Sequence, residues 1–270
     1  MGIDPLRIGP AMNDAFSDPI FVAQYMSFRG VGEGVWLKYR AILENIIVRL
    51  SRPARVLDVG SGPGTFALWM AQNPDLFSEI VAMDSSRKMI NELEQRLDKL
   101  TEVLVRPVLA DFLGEKLELG TFDLILMSQV VHLFDDPRAA LVRAKGLLSE
   151  NGSLAIRTSN WDQLRTAKFY QYFPEALELD LSRHSENLLN DLRAIDLDAE
   201  MYVVDEPHRW SRDQYLARLT ARPTSTLRAI STEAFVSGLD RATKALQGVD
   251  SIEESRQMTL YIASRRSATV

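Results

Sequence analysis

The sequence contains no cysteine and only three histidines. Without cysteine the chain can form no disulfide and offers no thiolate to a metal, which is typical of proteins in a reducing compartment. No apolar run approaches the roughly 20 residues of a membrane-spanning helix. Residues 1–7 do not form a basic segment followed by an apolar one, so they do not predict a secretory signal. We therefore expect a cytoplasmic protein that makes no membrane contact.

Positive charge is also scarce. The 270 residues include 31 Lys and Arg against 37 Asp and Glu, giving a formal net charge of −6. Nucleic-acid binding relies on clustered basic residues, so the composition favours a small-molecule partner over nucleic acid. No motif for a zinc site, a serine triad or a phosphate-loop lysine is visible, and no metal is expected. The length suits one large domain.

Glycines are concentrated in one informative segment. An apolar run containing Asp58 is followed by Gly60, Gly62 and Gly64, and then by an apolar-periodic stretch that begins at Thr65. This pattern predicts a buried strand, a glycine turn and a helix. Glycines allow a ligand to approach backbone N–H groups closely. Thr65 stands where the dinucleotide fingerprint has its third glycine, which disfavours the alternative of an NAD-type oxidoreductase.

Polar residues follow several of the other predicted strands. Asp84 ends the second strand, and Ser128 and His132 lie at and after the end of the fourth. Strands alternate with helices, which predicts a parallel sheet covered on both faces, with ligands at the carboxyl ends of the strands. Asp84 can accept both hydroxyls of a ribose; alternatively, it is an acid favoured by the N-terminus of the next helix.

The third predicted strand has two distinctive features. Pro107 lies inside it, and because proline cannot donate to a strand ladder, this strand is predicted at the edge of the sheet. Asp111 and Phe112 follow it directly. An acid can accept the exocyclic amine of adenine, and an aromatic ring can cover a base.

Taken in order, these motifs resemble class I S-adenosylmethionine-dependent methyltransferases. The resemblance covers residues 50–160 and is carried by Leu-Asp58-Val-Gly60-Ser-Gly62-Pro-Gly64, Ala-Met-Asp84-Ser-Ser, Ala-Asp111-Phe, and Phe-Asp123-Leu-Ile with His132-Leu-Phe-Asp. Within the class the chain is similar to the small-molecule branch that includes trans-aconitate and type 11-like methyltransferases. Many relatives have His-Trp where this chain has His132-Leu133, so the methylated group cannot be carried over.

The resemblance implies an α/β, Rossmann-like, mostly parallel sheet of seven strands in the order 3-2-1-4-5-7-6, with an antiparallel last strand and helices on both faces. It divides the chain into an N-terminal helical lid segment (1–50), a cofactor-binding core (51–160), and the remaining strands with helical substrate-side insertions (161–270). Trp210–Gly248 would form the insertion before the last strand. Alternatively, residues 1–50 form helices that only pack against the core and do not act as a lid.

The resemblance also implies S-adenosylmethionine as the cofactor. Asp58 and the glycine loop would flank its methionine part, Asp84 would take the ribose, and Asp111 with Phe112 would hold adenine. The implied cofactor-binding residues are Asp58, Gly60, Ser61, Gly62, Gly64, Asp84, Ser85, Met89, Asp111, Phe112, Ser128 and Gln129.

His132 is the candidate catalytic residue, because an unperturbed imidazole has a pKa of about 6.5. A hydroxyl, phenol or ammonium acceptor must lose a proton, whereas a carboxylate acceptor need not. The alternative is that His132 packs at the pocket wall and orients the substrate. His184 and His208 are predicted to be packing or surface residues.

We predict an enzyme that moves a methyl group by in-line displacement to an O, N or C atom of a small-molecule acceptor, such as a secondary metabolite or a carboxylic acid; a non-catalytic S-adenosylmethionine-binding protein is the alternative. The aromatic-rich lid suggests an acceptor with an apolar body. We expect a monomer or homodimer. Candidate acceptor-binding residues are Tyr25, Arg29, Trp36, Tyr170, Tyr172, Trp210 and Arg222. Each aromatic could instead be core, and each arginine solvated or ion-paired.

Overall fold

The molecule is built around a seven-stranded sheet. The computed structural model describes residues 33–48, 50, 52–98, 104–114 and 118–266. The strand order is β3-β2-β1-β4-β5-β7-β6, as the resemblance implied. β7 runs antiparallel to β5 and β6, and all other neighbours are parallel. The strands are β1 (Ala54–Val59), β2 (Phe77–Asp84), β3 (Val105–Leu109), β4 (Phe122–Ser128), β5 (Leu148–Thr158), β6 (Leu197–Ser211) and β7 (Ser251–Arg265).

Helices cover both faces of this sheet. They are α1 (Glu33–Ile47), α2 (Thr65–Ala71), α3 (Arg87–Leu97), α4 (Pro137–Leu147), α5 (Trp161–Thr166), α6 (Pro174–Arg183), α7 (Leu188–Arg193), α8 (Arg212–Thr220), α9 (Ser225–Ala229) and α10 (Thr232–Ala245), with short 3-10 turns at Val131–Leu133 and Lys168–Gln171. Helices α1, α2 and α3 share one apolar core with the sheet, while α4 and α7 share the other.

Alternation along each central strand feeds these two cores. In β4, Leu124 and Leu126 belong to the core under α1–α3, whereas Ile125 and Met127 belong to the opposite one. Successive side chains of a strand point to opposite faces, so a strand covered on both sides reads as a continuous apolar run. Pro107 lies in β3 at the edge of the sheet, and the prediction of an edge strand is confirmed.

The last two strands extend far beyond their predicted bounds. The apolar residues at 201–204 and the alternation at 258–263 predict two short strands. In the structure β6 and β7 pair over 15 residues each, from Leu197↔Arg265 to Ser211↔Ser251. Charged residues interrupt the apolar alternation in both strands. Some of them, such as Glu206 and Glu254, are nevertheless buried. The charged residues are therefore the reason why the sequence underestimates the lengths of β6 and β7.

The helical insertion between β6 and β7 is present, but its predicted start was wrong. Trp210 lies in β6, and α8 begins only at Arg212. Ser211 and Gln214 form a capping box there, which satisfies the free N–H groups of the first turn. Proline disfavours a continuous helix, and Arg222-Pro223 lies in the gap between α8 and α9. None of the described helices combines the length and the apolar character that crossing a membrane requires.

Candidate functional site

The loop between β1 and α2 forms the floor of the site. Gly60, Gly62 and Gly64 all have positive φ angles, 66°, 55° and 79°. A Cβ on Gly60 would lie 2.4 Å from Cγ2 of Val130, so glycine is required where this loop passes the loop after β4. A Cβ on Gly62, by contrast, would meet no atom within 4 Å. The loop is therefore tight against its neighbours at one end and open to a ligand in the middle.

Two buried acids stand behind the loop. The carboxylate of Asp84 accepts hydrogen bonds from the Gly62 and Ser86 N–H groups, both at 2.8 Å. Asp58 is 2% exposed, and burial together with the charge of Asp84 raises its pKa to about 8. Burial also raises the pKa of Asp84 above its ordinary value. A cation bound here would stabilise the ionised form of both carboxyl groups.

Three buried polar atoms near this loop have no hydrogen-bond partner among the described residues. They are Oδ2 of Asp58, Oγ of Ser61 and Nε2 of Gln129. All three residues line one cavity of about 150 Å³, which we call the site cavity. Buried polar groups are normally paired. One acceptor and two donors facing a common space match the ammonium and carboxylate of an amino acid, which is the methionyl end of S-adenosylmethionine.

The remaining implied cofactor residues lie along the carboxyl ends of β2 and β3. Ser85 is exposed, while Met89 is buried in α3. Asp111 is exposed, and its Oδ1 accepts the Leu113 N–H at 2.9 Å. Phe112 is buried, with its ring centroid 6.0 Å from that of Phe134. None of these four lines the site cavity.

The loop after β4 is held in an unusual conformation. Gln129 has a φ of 58°, rare for a residue with a side chain. Its N–H donates to the Arg157 carbonyl at 2.8 Å, which ties the loop to β5. Ser128 and Gln129 both line the site cavity. This strained turn directs the Gln129 side chain and the following His132 toward the cavity.

His132 stacks on a second histidine. The rings of His132 and His184 are 4.1 Å apart at an angle of 17°. Both residues, with Ser159, also line a neighbouring cavity of about 340 Å³, which we call the side cavity. His184 is buried, in agreement with its prediction as a packing residue, but it also faces both cavities. The sequence alone did not predict that His184 lines these cavities.

Helix α6 positions His184. The His184 Nδ1 is 2.9 Å from the carbonyl oxygen of Asp180, one turn earlier, and 4.0 Å from its carboxylate Oδ1. Asp180 in turn accepts hydrogen bonds from the Tyr170 hydroxyl and, at 3.0 Å, from Thr226 Oγ1. Burial lowers the pKa of His184. The four-residue spacing of an acid and a histidine on one helix is the signal that could have found this pair.

A buried ionic cluster contacts Ser128, the last residue of β4. The Arg157 guanidinium donates to Glu206 and, at 2.8 Å, to the Tyr39 hydroxyl, and at 3.4 Å to Ser128 Oγ. Tyr39 also donates to Glu206 at 2.6 Å. The carboxylate of Glu206 raises the pKa of Arg157, and the pKa of Glu206 is lowered by Arg157 against the opposing effect of burial. Three elements distant in sequence, α1, β5 and β6, therefore meet at one charge pair.

The candidate acceptor-binding residues have varied placements. Tyr25 and Arg29 lie outside the described residues. Of the described ones, Tyr170 lines the site cavity. The indole of Trp36 stacks on Trp69 at 5.1 Å, and the Arg222 guanidinium lies 3.8 Å from the Phe235 ring centroid.

The two other aromatic candidates lie among packed side chains. Tyr172 is buried, and Trp210 packs between His208 and Tyr215. Neither residue lines the site cavity or the side cavity. The structure thus brings one of the described candidates, Tyr170, to the ligand space.

Comparison with known proteins gives consistent matches. A family model described as a methyltransferase domain matches residues 35–201. An uncharacterized 37.1 kDa transposon protein of Streptomyces fradiae is 31% identical over 115 residues, 42% of this chain and 33% of that protein. An uncharacterized methyltransferase of Mycobacterium tuberculosis is 28% identical over 115 residues, 43% of this chain and 55% of that protein. The chain thus spans about a third to about half of the length of these relatives.

A solved structure shares the fold over nearly the whole chain. The plantazolicin methyltransferase BpumL, in complex with a pentazolic desmethylPZN analog and SAH, superposes with a TM-score of 0.58 at 15% identity. The match covers 94% of this chain and 95% of that one. At this identity the likeness concerns the fold, and it agrees with the strand order described above.

Proposed function

The chain belongs to the methyltransferase domain family, among the class I S-adenosylmethionine-dependent methyltransferases, and on that premise we propose that it methylates a small acceptor with a polar nucleophile. The observation that carries this proposal is the site cavity itself. Asp58, Ser61 and Gln129, whose unpartnered atoms we take as its cofactor end, line the same cavity as His132 and His184, whose imidazoles we take as its acceptor end.

The residues at the first end fit the amino-acid part of S-adenosylmethionine. Asp58 would accept its ammonium, while the Ser61 hydroxyl and the Gln129 amide would donate to its carboxylate. Asp84 would take the ribose hydroxyls, and Asp111 with Phe112 would flank adenine. When bound, the cofactor supplies a methyl group already activated by a sulfonium. The chain's own task is therefore to position the nucleophile and exclude water.

We assign His132 to the acceptor's side of this reaction. It follows Gln129 by one short turn and lines both cavities, so its ring lies between the cofactor end and the acceptor space. A general base contributes roughly 10²–10⁴-fold where the nucleophile must lose a proton. The variant His132→Ala should therefore lower the rate of S-adenosylhomocysteine formation far more than it changes the Kd for S-adenosylmethionine. Unchanged turnover would remove His132 from the reaction.

Calorimetry on the purified chain tests the cofactor assignment. S-adenosylmethionine and S-adenosylhomocysteine should bind, and NAD should not. Asp58→Asn should weaken S-adenosylmethionine binding at least tenfold, because a charge-assisted contact to the ammonium is lost, and Ser61→Ala and Gln129→Ala should weaken it less. Asp75→Asn, an exposed acid that lines neither cavity, is the matched control. Absence of binding by the folded wild-type chain would contradict the proposal.

A further inference from the structure

Asp180 is the buried acid at the acceptor end of the site cavity. It lies on α6, is 6% exposed and lines the cavity. Its Oδ2 accepts hydrogen bonds from the hydroxyls of Tyr170 and Thr226. Both donors are neutral, so they orient the carboxylate without balancing its charge. Burial raises the pKa of Asp180 above its ordinary value, so a cation bound beside it would favour the ionised carboxylate.

Two other acids of this cavity already have cations. Glu206 pairs with Arg157, and Glu254 pairs with Arg256 at 3.3 Å. Among the described residues, the group within ion-pair distance of Asp180 is the imidazole of His184, at 4.0 Å. Arg183 acts on Asp180 at longer range. Asp58 is assigned to the cofactor's ammonium, so Asp180 is left for a cation that the acceptor brings.

His184 is positioned to take a proton beside that acid. In the neutral tautomer that donates from Nδ1 to the Asp180 carbonyl, Nε2 keeps its lone pair. Burial disfavours the imidazolium of His184 in the free protein, so the ring is available as a base. Its stacking on His132 and its contact with both cavities place it next to the acceptor space.

We propose that the acceptor is an amine that enters as an ammonium ion, is held by Asp180 and gives its proton to His184. The proposal deepens the proposed function and rests on it. A proton passes from nitrogen to Nε2 of His184. The nitrogen lone pair then forms a bond to the methyl carbon, and the carbon–sulfur bond breaks with its electron pair on sulfur. The products are an N-methylammonium and S-adenosylhomocysteine, and the imidazolium returns its proton to water.

The lining of the cavity also restricts the rest of the acceptor. Leu164, Phe169 and Met258 give this end an apolar wall. An aryl or alkyl amine with a compact body therefore fits better than a polyamine. Arg256 is the group that favours the opposite class, an anionic acceptor, because its Nη2 has no hydrogen-bond partner among the described residues. Its charge, however, is already offset by Glu254.

Three ligands of one skeleton separate these classes. Benzylamine, benzyl alcohol and benzoate are titrated by calorimetry into the S-adenosylhomocysteine complex of the full chain. We expect benzylamine to bind, benzyl alcohol to bind at least tenfold more weakly and benzoate not to bind. Asp180→Asn should weaken benzylamine binding at least tenfold and leave the Kd for S-adenosylhomocysteine unchanged. Its amide oxygen still accepts from Tyr170 and Thr226, and Glu178→Gln, an exposed acid on the same helix, is the control.

A second readout addresses the proton. With S-adenosylmethionine and benzylamine, mass spectrometry should detect N-methylbenzylamine from the wild type. His184→Gln should lose most of this product while still binding benzylamine in the S-adenosylhomocysteine complex. Equal binding of benzoate and benzylamine by the wild type would overturn the amine assignment without any variant. So would an Asp180→Asn complex that binds benzylamine as the Glu178→Gln control does. If S-adenosylhomocysteine itself does not bind the wild type, the proposed function fails instead.

Discussion

The two ends of the site cavity are built in different ways. The end that we assign to the cofactor comes from short, contiguous segments, such as the glycine loop around Gly60 and the turn at Gln129, and hydrogen bonds from backbone N–H groups hold these segments in place. The acceptor end comes from side chains on separate elements, including Asp180 on α6 and Arg256 on β7. A site formed by short loops tolerates few substitutions within those loops. A site formed by side chains from separate elements depends on how those elements pack together.

The largest effect should come from breaking the ion pair that joins β5 to β6. Glu206→Gln would leave the buried Arg157 guanidinium without its counter-charge, which typically costs about 3–5 kcal/mol. Urea unfolding should show this loss of stability in the free protein. If the loss stayed below about 1 kcal/mol, the stability of the protein would not depend on this contact between elements distant in sequence.

At the cofactor end, Gly60→Ala should damage both the loop and the ligand site. The left-handed backbone of an alanine costs about 1–2 kcal/mol, and its Cβ would collide with Val130. Calorimetry should show weaker S-adenosylmethionine binding, and urea unfolding a less stable protein. The double variant Gly60→Ala/Val130→Ala should recover part of the stability, since it removes the 2.4 Å contact with Cγ2 but leaves the 2.9 Å contact with the Val130 Cβ and the strained φ.

Gly146→Ala provides the matched control for that substitution. Gly146 lies in α4, and a Cβ there would meet nothing within 4 Å. Because alanine is the better helix former by about 1 kcal/mol, this change should be neutral or stabilising. If both glycine variants lost stability equally, the close contact between Gly60 and Val130 would not be the cause.

The pH dependence of cofactor binding should expose Asp58 specifically. With its pKa near 8 in the free protein, Asp58 is mostly protonated below that pH and must ionise to bind an ammonium. The affinity for S-adenosylmethionine should therefore rise about tenfold for each pH unit between roughly pH 5 and 7. It should level off near pH 8, where α-amino groups lose their proton. Asp58→Asn should flatten this profile in a calorimetric titration series.

The same raised pKa has a consequence for stability, with a definite sign. The folded chain holds the Asp58 proton more tightly than the unfolded chain, whose carboxyl has the ordinary value of 3.8. The free energy of unfolding contributed by this group therefore falls as the pH rises from about 4 to about 8. Thermal melts of the free protein near pH 8 should show a higher Tm for Asp58→Asn than for the wild type. An unchanged Tm would mean that Asp58 is solvated.

The smallest effect should come from the exposed end of the β6–β7 hairpin. Arg209 and Glu253 form an ion pair at 3.4 Å with both side chains about 70% exposed. Such pairs contribute about 0–1 kcal/mol, so Glu253→Gln should change the unfolding free energy by no more than roughly 0.5 kcal/mol. A larger loss would show that the hairpin depends on its surface charges as well as on buried Glu206.

The residues themselves predicted the glycine loop and the edge position of β3 because these signals are local, whereas the full strand order came from the resemblance to a known family. Acids and glycines at strand ends, and Pro107 in an edge strand, can be read within a few residues of one another. The contact between His132 and His184 could not be predicted in this way, because it depends on how α6 packs against the loop after β4. The lengths of β6 and β7 were also underestimated, since buried acids on both strands break the expected alternation.

Trp36 and Trp210 show why the presence of aromatic residues in a sequence does not by itself identify a ligand-binding site. Both were candidates for acceptor binding because aromatic residues suit apolar ligands. In the structure Trp36 stacks on Trp69, and Trp210 packs between His208 and Tyr215. Aromatic side chains pack against one another as readily as they pack against a ligand. Which of the two occurs depends on neighbours that are remote in the chain.

The stacked indoles of Trp36 and Trp69 also have a practical consequence. Trp69 lies in α2, the helix that starts directly after the glycine loop, and Trp36 lies in α1. Two parallel indoles at 5.1 Å couple optically, so near-ultraviolet circular dichroism and intrinsic fluorescence should report whether α1 is seated on α2. The protein thus carries a label-free spectroscopic probe a few residues from the loop that we assign to the cofactor.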